Sequence, residues 1–510
     1  MKKQLSKNVI VNTISVIWRM LIGFVIMPLM VKNLHQDGYG VWVLVVSFTI
    51  FGYLNIVEFG IGTSVIKFVA EHIALKRTDK INQTISAALI FYFGLGILSA
   101  IGLLIFKDIA FFKLFKIPKE FIRPTNILLY MMALKAIIDF PTQAISSALE
   151  GFQRYDIWRS LEILRDTLQA IATVILLFSG KGLVELGMLL LGISIFNLIS
   201  CIITVKHLFP PWRLIIKVPY EIIRNMAIFS SKIFAIRINA IVYNGMDKVI
   251  ISTIIGVGAL TNYAIAQRIQ SLGNTAMSLV SLVLVPTASM LFALKDIPKL
   301  QQTFIRATKY TMALCVPLTL ALMILAKPLI YYWIGQEYVY IYRMARLFLS
   351  YLLVYSIVPV AYNMLIGIGK IGALLRIQII STLINLLISI FITYKIGITG
   401  VIWGTIIGTS FAIIPYLSIA LKTFKLKWTL FLQGTTLKVY PASFLSAGLL
   451  LIFSKIAPPH SIIEVGMYFA GFEIIFFSIF IILGLDKIER NFVIDNVRLQ
   501  ISSIKHSLKK

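Results

Sequence analysis

IVNTISVIWRMLIGFVIMPLMV, residues 10–31, is an apolar run of 22 residues broken by a single charge, Arg19. As a helix rising about 1.5 Å per residue it covers about 30 Å, the hydrocarbon thickness of a bilayer. It is too long for a secretory signal, holds Arg19 at its centre and lacks a small-residue cleavage site, so it is expected to remain as the first membrane helix. Similar runs recur nearly to the end of the 510 residues, of which 59% are hydrophobic and 14% charged, with a mean hydropathy of +0.90. Barrel strands would instead alternate polar and apolar over about ten residues. The expectation is an all-α integral membrane protein.

The length criterion of about 20 residues gives about 14 transmembrane helices. They lie near 10–31, 41–66, 85–106, 127–149, 166–179, 185–205, 227–253, 262–291, 310–332, 344–368, 377–394, 399–421, 439–456 and 464–485. With a cytoplasmic N-terminus, the loops on that side hold roughly 30 of the Lys and Arg residues and the opposite loops about 9, which places both termini in the cytoplasm. The formal net charge of +27 is therefore read as topology and anionic-lipid contact, with no nucleic acid implied. Cys201 and Cys315 both fall in apolar segments and suggest neither a disulfide framework nor a metal site.

Laid over itself with a shift of roughly 216 to 219 residues, the chain matches in its loops as well as its spans. The run 70–76 and 80–84 resembles 288–295 and 299–303, and 149–154 resembles 365–370, each pair in the same topological slot. An even number of spans per copy predicts two pseudo-symmetric six-helix lobes related by an axis along the membrane normal. The expected organisation is an N-lobe at 1–215, a C-lobe at 216–425, two extra helices at 426–485 and a basic cytoplasmic tail at 486–510.

Ionisable groups within a span are costly unless they face water or a partner, so each is a candidate site residue. Asn8, Asn12, Ser15, Arg19 and Gly23 recur at helical spacing as a polar stripe, with Pro28 a turn beyond; Gly23 and Pro28 are the hinge candidates. Pairing of Arg19 with an acidic neighbour is the structural alternative. The seventh span, which corresponds to the first under the repeat, carries Lys232, Arg237, Asn239, Tyr243, Asn244, Asp247 and Lys248 on one half of its circumference. Lys135 and Asp139, four apart, form either a closed ion pair or part of a cavity, and Arg268 sits near the outer end of the eighth span. The candidates for a substrate cavity are thus Asn12, Arg19, Lys135, Arg237, Asn239, Asn244 and Arg268. Because guanidinium groups pair with phosphate through charge-assisted hydrogen bonds, a basic cavity between two lobes suits a lipid pyrophosphate, or another anionic amphiphile.

At Asn12 to Pro28, Tyr39-Gly40-Val41-Trp42, Phe59-Gly60-Ile61-Gly62, Met246 to Ile251, Asn262-Tyr263-Ala264 and Pro328 to Tyr338, the sequence resembles the polysaccharide transporter family. These are the O-antigen and exopolysaccharide flippases of the multidrug/oligosaccharidyl-lipid/polysaccharide exporter superfamily. The resemblance implies alternating access of two lobes and a lipid-linked oligosaccharide substrate built on undecaprenyl pyrophosphate. It also implies the bacterial cytoplasmic membrane as location and polysaccharide polymerase and other pathway proteins as partners. No cofactor is implied beyond Na+ or H+ as a coupling ion, for which Asp247 and Asp139 are the candidates. Basic residues of the first and eighth helices line a cationic cavity in related lipid II flippases; Arg19 and Arg268 correspond to them approximately.

Two rivals share the superfamily, a multidrug exporter and a lipid II exporter. The first would want more acidic and aromatic groups than these basic-rich spans carry. A membrane-embedded polysaccharide enzyme would need catalytic carboxylates or histidines in a sizeable outer loop, yet 107–126 holds only Asp108 and Glu120 among its lysines, and the five histidines are scattered. The expectation is a transporter rather than an enzyme.

Overall fold

The computed structural model describes residues 2–48, 60–281, 284–487 and 489–491. Among these every regular element is helical: α1 Lys2–Ser47, α2 Ile61–Ala74, α3 Thr78–Lys107, α4 Lys119–Gly151, α5 Tyr155–Phe178, α6 Leu183–Leu208, α7 Tyr220–Ile254, α8 Val257–Ser281 and α9 Leu284–Ala293. The chain continues with α10 Ile297–Trp333, α11 Tyr342–Tyr355, α12 Val358–Gly367, α13 Ile371–Ile396, α14 Thr399–Thr423, α15 Trp428–Gly434, α16 Thr436–Ile456 and α17 Ile462–Leu483. Among the described residues nine helices are long and apolar enough to cross a membrane, ten if a bent pair counts as one span. The figure of about 14 is not reached on that measure; α5, with five charges from Asp156 to Asp166, is not among the nine.

Three local differences from the sequence expectation have physical causes. The loop expected at 32–40 is absent: α1 runs on to Ser47 and turns a corner at one residue, His35, with φ 58° and ψ 177°. Gly23 and Pro28 lie within the helical stretch before that corner. The fifth helix begins at Tyr155 rather than near 166, so charges read as loop lie in its first turns. The tenth span is broken into α11 and α12, bent by 51°. Pro359 sits in the first turn of α12 and has no N–H to return to the preceding turn. At the same break the Leu353 carbonyl accepts from the Tyr440 hydroxyl at 2.6 Å and the Ser356 hydroxyl at 2.9 Å. Residues 49–59 of the expected second span and 282–283 of the eighth lie outside the described residues.

Contacts divide the chain into two compact units, residues 1–264 with 384–404 and residues 265–383 with 405–510. In the first, Ile61, Val65 and Val69 of α2 pack with Ile85 and Tyr92 of α3 and Phe140 and Ala144 of α4. On α3, Leu98, Ile101 and Ile105 follow helical spacing and are exposed, the stripe a lipid-facing helix presents. Where α13 meets α14, a Cβ on Gly400 would lie 2.4 Å from the Thr393 backbone N, and one on Gly404 2.0 Å from the Ser389 hydroxyl. This small-xxx-small pair lets the two backbones touch. In the second unit, α16 and α17 pack on α10, where Phe304 stacks on Phe431 (centroids 4.9 Å apart) and meets Phe424 edge-on at 5.1 Å.

Candidate functional site

Inside the first unit, three helices place polar side chains around one cavity of about 200 Å³. Asp139, Thr142, Gln143, Ser146 and Glu150 are each three or four positions from another of the set on α4, so they share a face. The first turns of α5 supply Trp158, Arg159, Glu162 and Arg165, and α6 supplies Asn197.

Charges around the cavity are matched. Arg159 pairs with Glu162 at 2.5 Å and Arg165 with the adjoining Asp166 at 2.7 Å. Lys135 donates to Asp139 and, at 2.8 Å, to the Ser194 hydroxyl; both members of that pair are buried. On the other edge of α5, Arg19 of α1 reaches Glu162 and Asp166, each at 3.3 Å, and its neighbour Trp18 donates to the Thr167 hydroxyl at 2.8 Å. Lys135, Arg159, Arg165 and Arg19 thus stand against Asp139, Glu150, Glu162 and Asp166. The cluster is zwitterionic, and Arg19 and Lys135 are paired within it.

Among the described residues, the side chains of Gln143, Glu150 and Trp158 make no hydrogen bond to the protein, though they line the cavity. They leave an amide, a carboxylate and an indole N–H for whatever enters. A group bound here meets both donors and acceptors.

The other candidates lie apart from this cavity. Asp247 on α7 is 5% exposed and accepts from the Tyr263 hydroxyl at 2.6 Å, while Lys248 donates to the Ser47 hydroxyl at 3.0 Å. Arg268 belongs to the second unit and is half-buried. The side chains of Asn12, Arg237, Asn239 and Asn244 lie outside the described set. Glu150, Trp158, Arg159, Glu162, Arg165 and Asn197 were missed in the sequence. Their signal was available: 158, 162 and 165 follow helical spacing, but five charges in eleven residues looked like a loop until pairing neutralised them.

Residues 13–343 match the model of a family described as polysaccharide biosynthesis protein. No curated relative matches the chain in sequence. Its fold is similar to that of an inward-facing multidrug resistance MATE family transporter of the MOP superfamily, with a TM-score of 0.66 at 16% identity over 81% of this chain and 95% of that one. It is equally similar to the lipid II flippase MurJ in an inward closed conformation, with 0.66 at 14% identity over 92% and 98%. A MOP superfamily transporter from Pyrococcus furiosus, described as having a binding pocket of reverse polarity, gives 0.59 at 16% over 84% and 97%. The all-helical fold expected from the sequence is thus the fold of this transporter superfamily.

Proposed function

The chain belongs to the polysaccharide biosynthesis protein family, and on that basis we propose that it is a flippase for an undecaprenyl-pyrophosphate-linked oligosaccharide. The cargo would be an O-antigen, capsule or exopolysaccharide repeat unit, moved from the cytoplasmic to the outer leaflet of the bacterial cytoplasmic membrane. Movement is by alternating access of two lobes, 1–215 and 216–425, with both termini cytoplasmic. The observation that carries the reading is the polar cavity within an otherwise apolar helical unit. Five ionisable side chains line it and three more pair with them or their neighbours, a cost in a membrane protein unless they serve a polar head group. The lipid tail of such a cargo needs no cavity, because it stays in the bilayer.

Asp247, buried and hydrogen-bonded by Tyr263, is the proposed site for Na+ or H+ coupling, with Asp139 held by Lys135 as the alternative. Arg19 and Arg268 are proposed to meet the pyrophosphate as it passes. A polysaccharide polymerase is the proposed partner receiving the cargo on the outer side. The test is export in cells lacking the native gene, complemented with wild type or Arg19→Ala, with membrane abundance measured by blot. Lost export at normal abundance, with lipid-linked precursor accumulating on the cytoplasmic side, supports the reading. Normal polysaccharide in the deletion strain refutes it, and drug hypersensitivity of that strain favours the multidrug exporter that the fold also matches.

A further inference from the structure

We propose that the cavity between α4, α5 and α6 is a sugar subsite, which takes one uncharged, polyhydroxylated ring of the cargo and not its phosphates. The proposal rests on the flippase reading. Its first ground is size: about 200 Å³ falls below the range of drug-sized pockets and suits a single ring rather than an oligosaccharide.

Charge is the second ground. Arg159 is already paired to Glu162, Arg165 to Asp166 and Lys135 to Asp139. A diphosphate entering here would have to break these pairs and face the carboxylates of Asp139, Glu150 and Glu162. A hydroxyl group meets no such penalty, since it is one donor and two acceptors at once. The unengaged groups answer that chemistry: the Glu150 carboxylate accepts, the Trp158 indole N–H donates, and the Gln143 amide does both. Asn197 adds a second amide, whose oxygen is only in long contact with Cys201 at 3.9 Å. Planar amides, carboxylates and guanidinium groups beside an indole can satisfy several neighbouring hydroxyls together, and the fixed ion pairs hold α5 so that these groups keep their spacing.

The measurement is binding to the purified full chain in detergent, with two probes. One is the lipid-linked oligosaccharide extracted from the deletion strain; the other is bare undecaprenyl pyrophosphate. Glu150→Ala and Asn197→Ala, each checked for monodispersity by size exclusion, are expected to weaken the glycosylated probe about tenfold, the loss of one good hydrogen bond. Bare carrier should bind them as it binds wild type. Equal weakening of both probes overturns the subsite, as does no change in either. If the variants lose only a sodium or pH dependence of binding, the cavity holds a cation and the proposal is wrong. The flippase reading fails separately, through normal export in the deletion strain, so wild type that binds the two probes alike in a strain needing it for export sinks the subsite alone.

Discussion

Asp139→Asn tests whether the Lys135–Asp139 pair is a structural ion pair or part of the transport machinery. Both side chains are buried, at 9% and 8% exposure, and among the described residues the only other partner of the Lys135 ammonium is the Ser194 hydroxyl at 2.8 Å. Replacing the carboxylate by an amide leaves a buried ammonium with dipoles but no counter-charge. Breaking a buried pair from one side costs about 3 to 5 kcal/mol, most of it the penalty of the stranded charge. Removing both charges, in Lys135→Met with Asp139→Asn, eliminates that penalty and should recover at least about 2 kcal/mol of the loss. The assay is reversible denaturation of the purified protein in mixed micelles, run beside complementation of export. A double variant as unstable as the single one would falsify the pairing argument. Asp139→Asn with wild-type stability but no export would instead assign Asp139 to the cargo or the coupling ion.

Glu489, beyond α17, accepts from Lys309 at 2.5 Å, from Tyr310 at 3.0 Å and from the Asp486 backbone N at 3.0 Å. Burial works to raise its carboxyl, but the hydrogen bond from Lys309 and its other partners hold it below the usual carboxylate range. The stability it contributes is complete above the unfolded-state value and is lost as pH falls through the lowered folded value. Glu489→Gln should therefore destabilise at neutral pH and flatten the acid limb of a stability–pH curve; an unchanged limb refutes this. At His35 the backbone is in a region nearly confined to glycine, which costs about 1 to 3 kcal/mol for another residue. His35→Gly should raise the thermal midpoint in detergent, and a lowered midpoint would mean that the imidazole itself holds the corner. Arg346 donates to the carbonyls of Met323 at 2.7 Å and Ile324 at 3.3 Å, the second of which faces Pro328 and gets no N–H from it. Arg346→Met should cost about 1 to 3 kcal/mol, while adding Pro328→Ala should lower that cost, read by the same denaturation assay.

The membrane class and the all-helical architecture were legible in residues 10–31 and their successors, because a backbone in hydrocarbon must satisfy its own hydrogen bonds. A local pair was legible too: Lys135 and Asp139, one helical turn apart, could be read as an ion pair, one of the two alternatives the sequence left open. The corner at His35 was not, since nothing in a histidine announces a positive φ. Nor was the cavity, whose lining comes from α4, α5 and α6, up to 58 positions apart from Asp139 to Asn197. Local pattern reports which face of a helix is polar, but whether Arg19 meets an acid or a ligand depends on α5 lying beside it, 147 residues later in the chain at Asp166. Charge neutralisation is a pairwise property of side chains brought together by packing, so tertiary structure alone placed Arg19 and the charges of α4 and α5 in a balanced polar site.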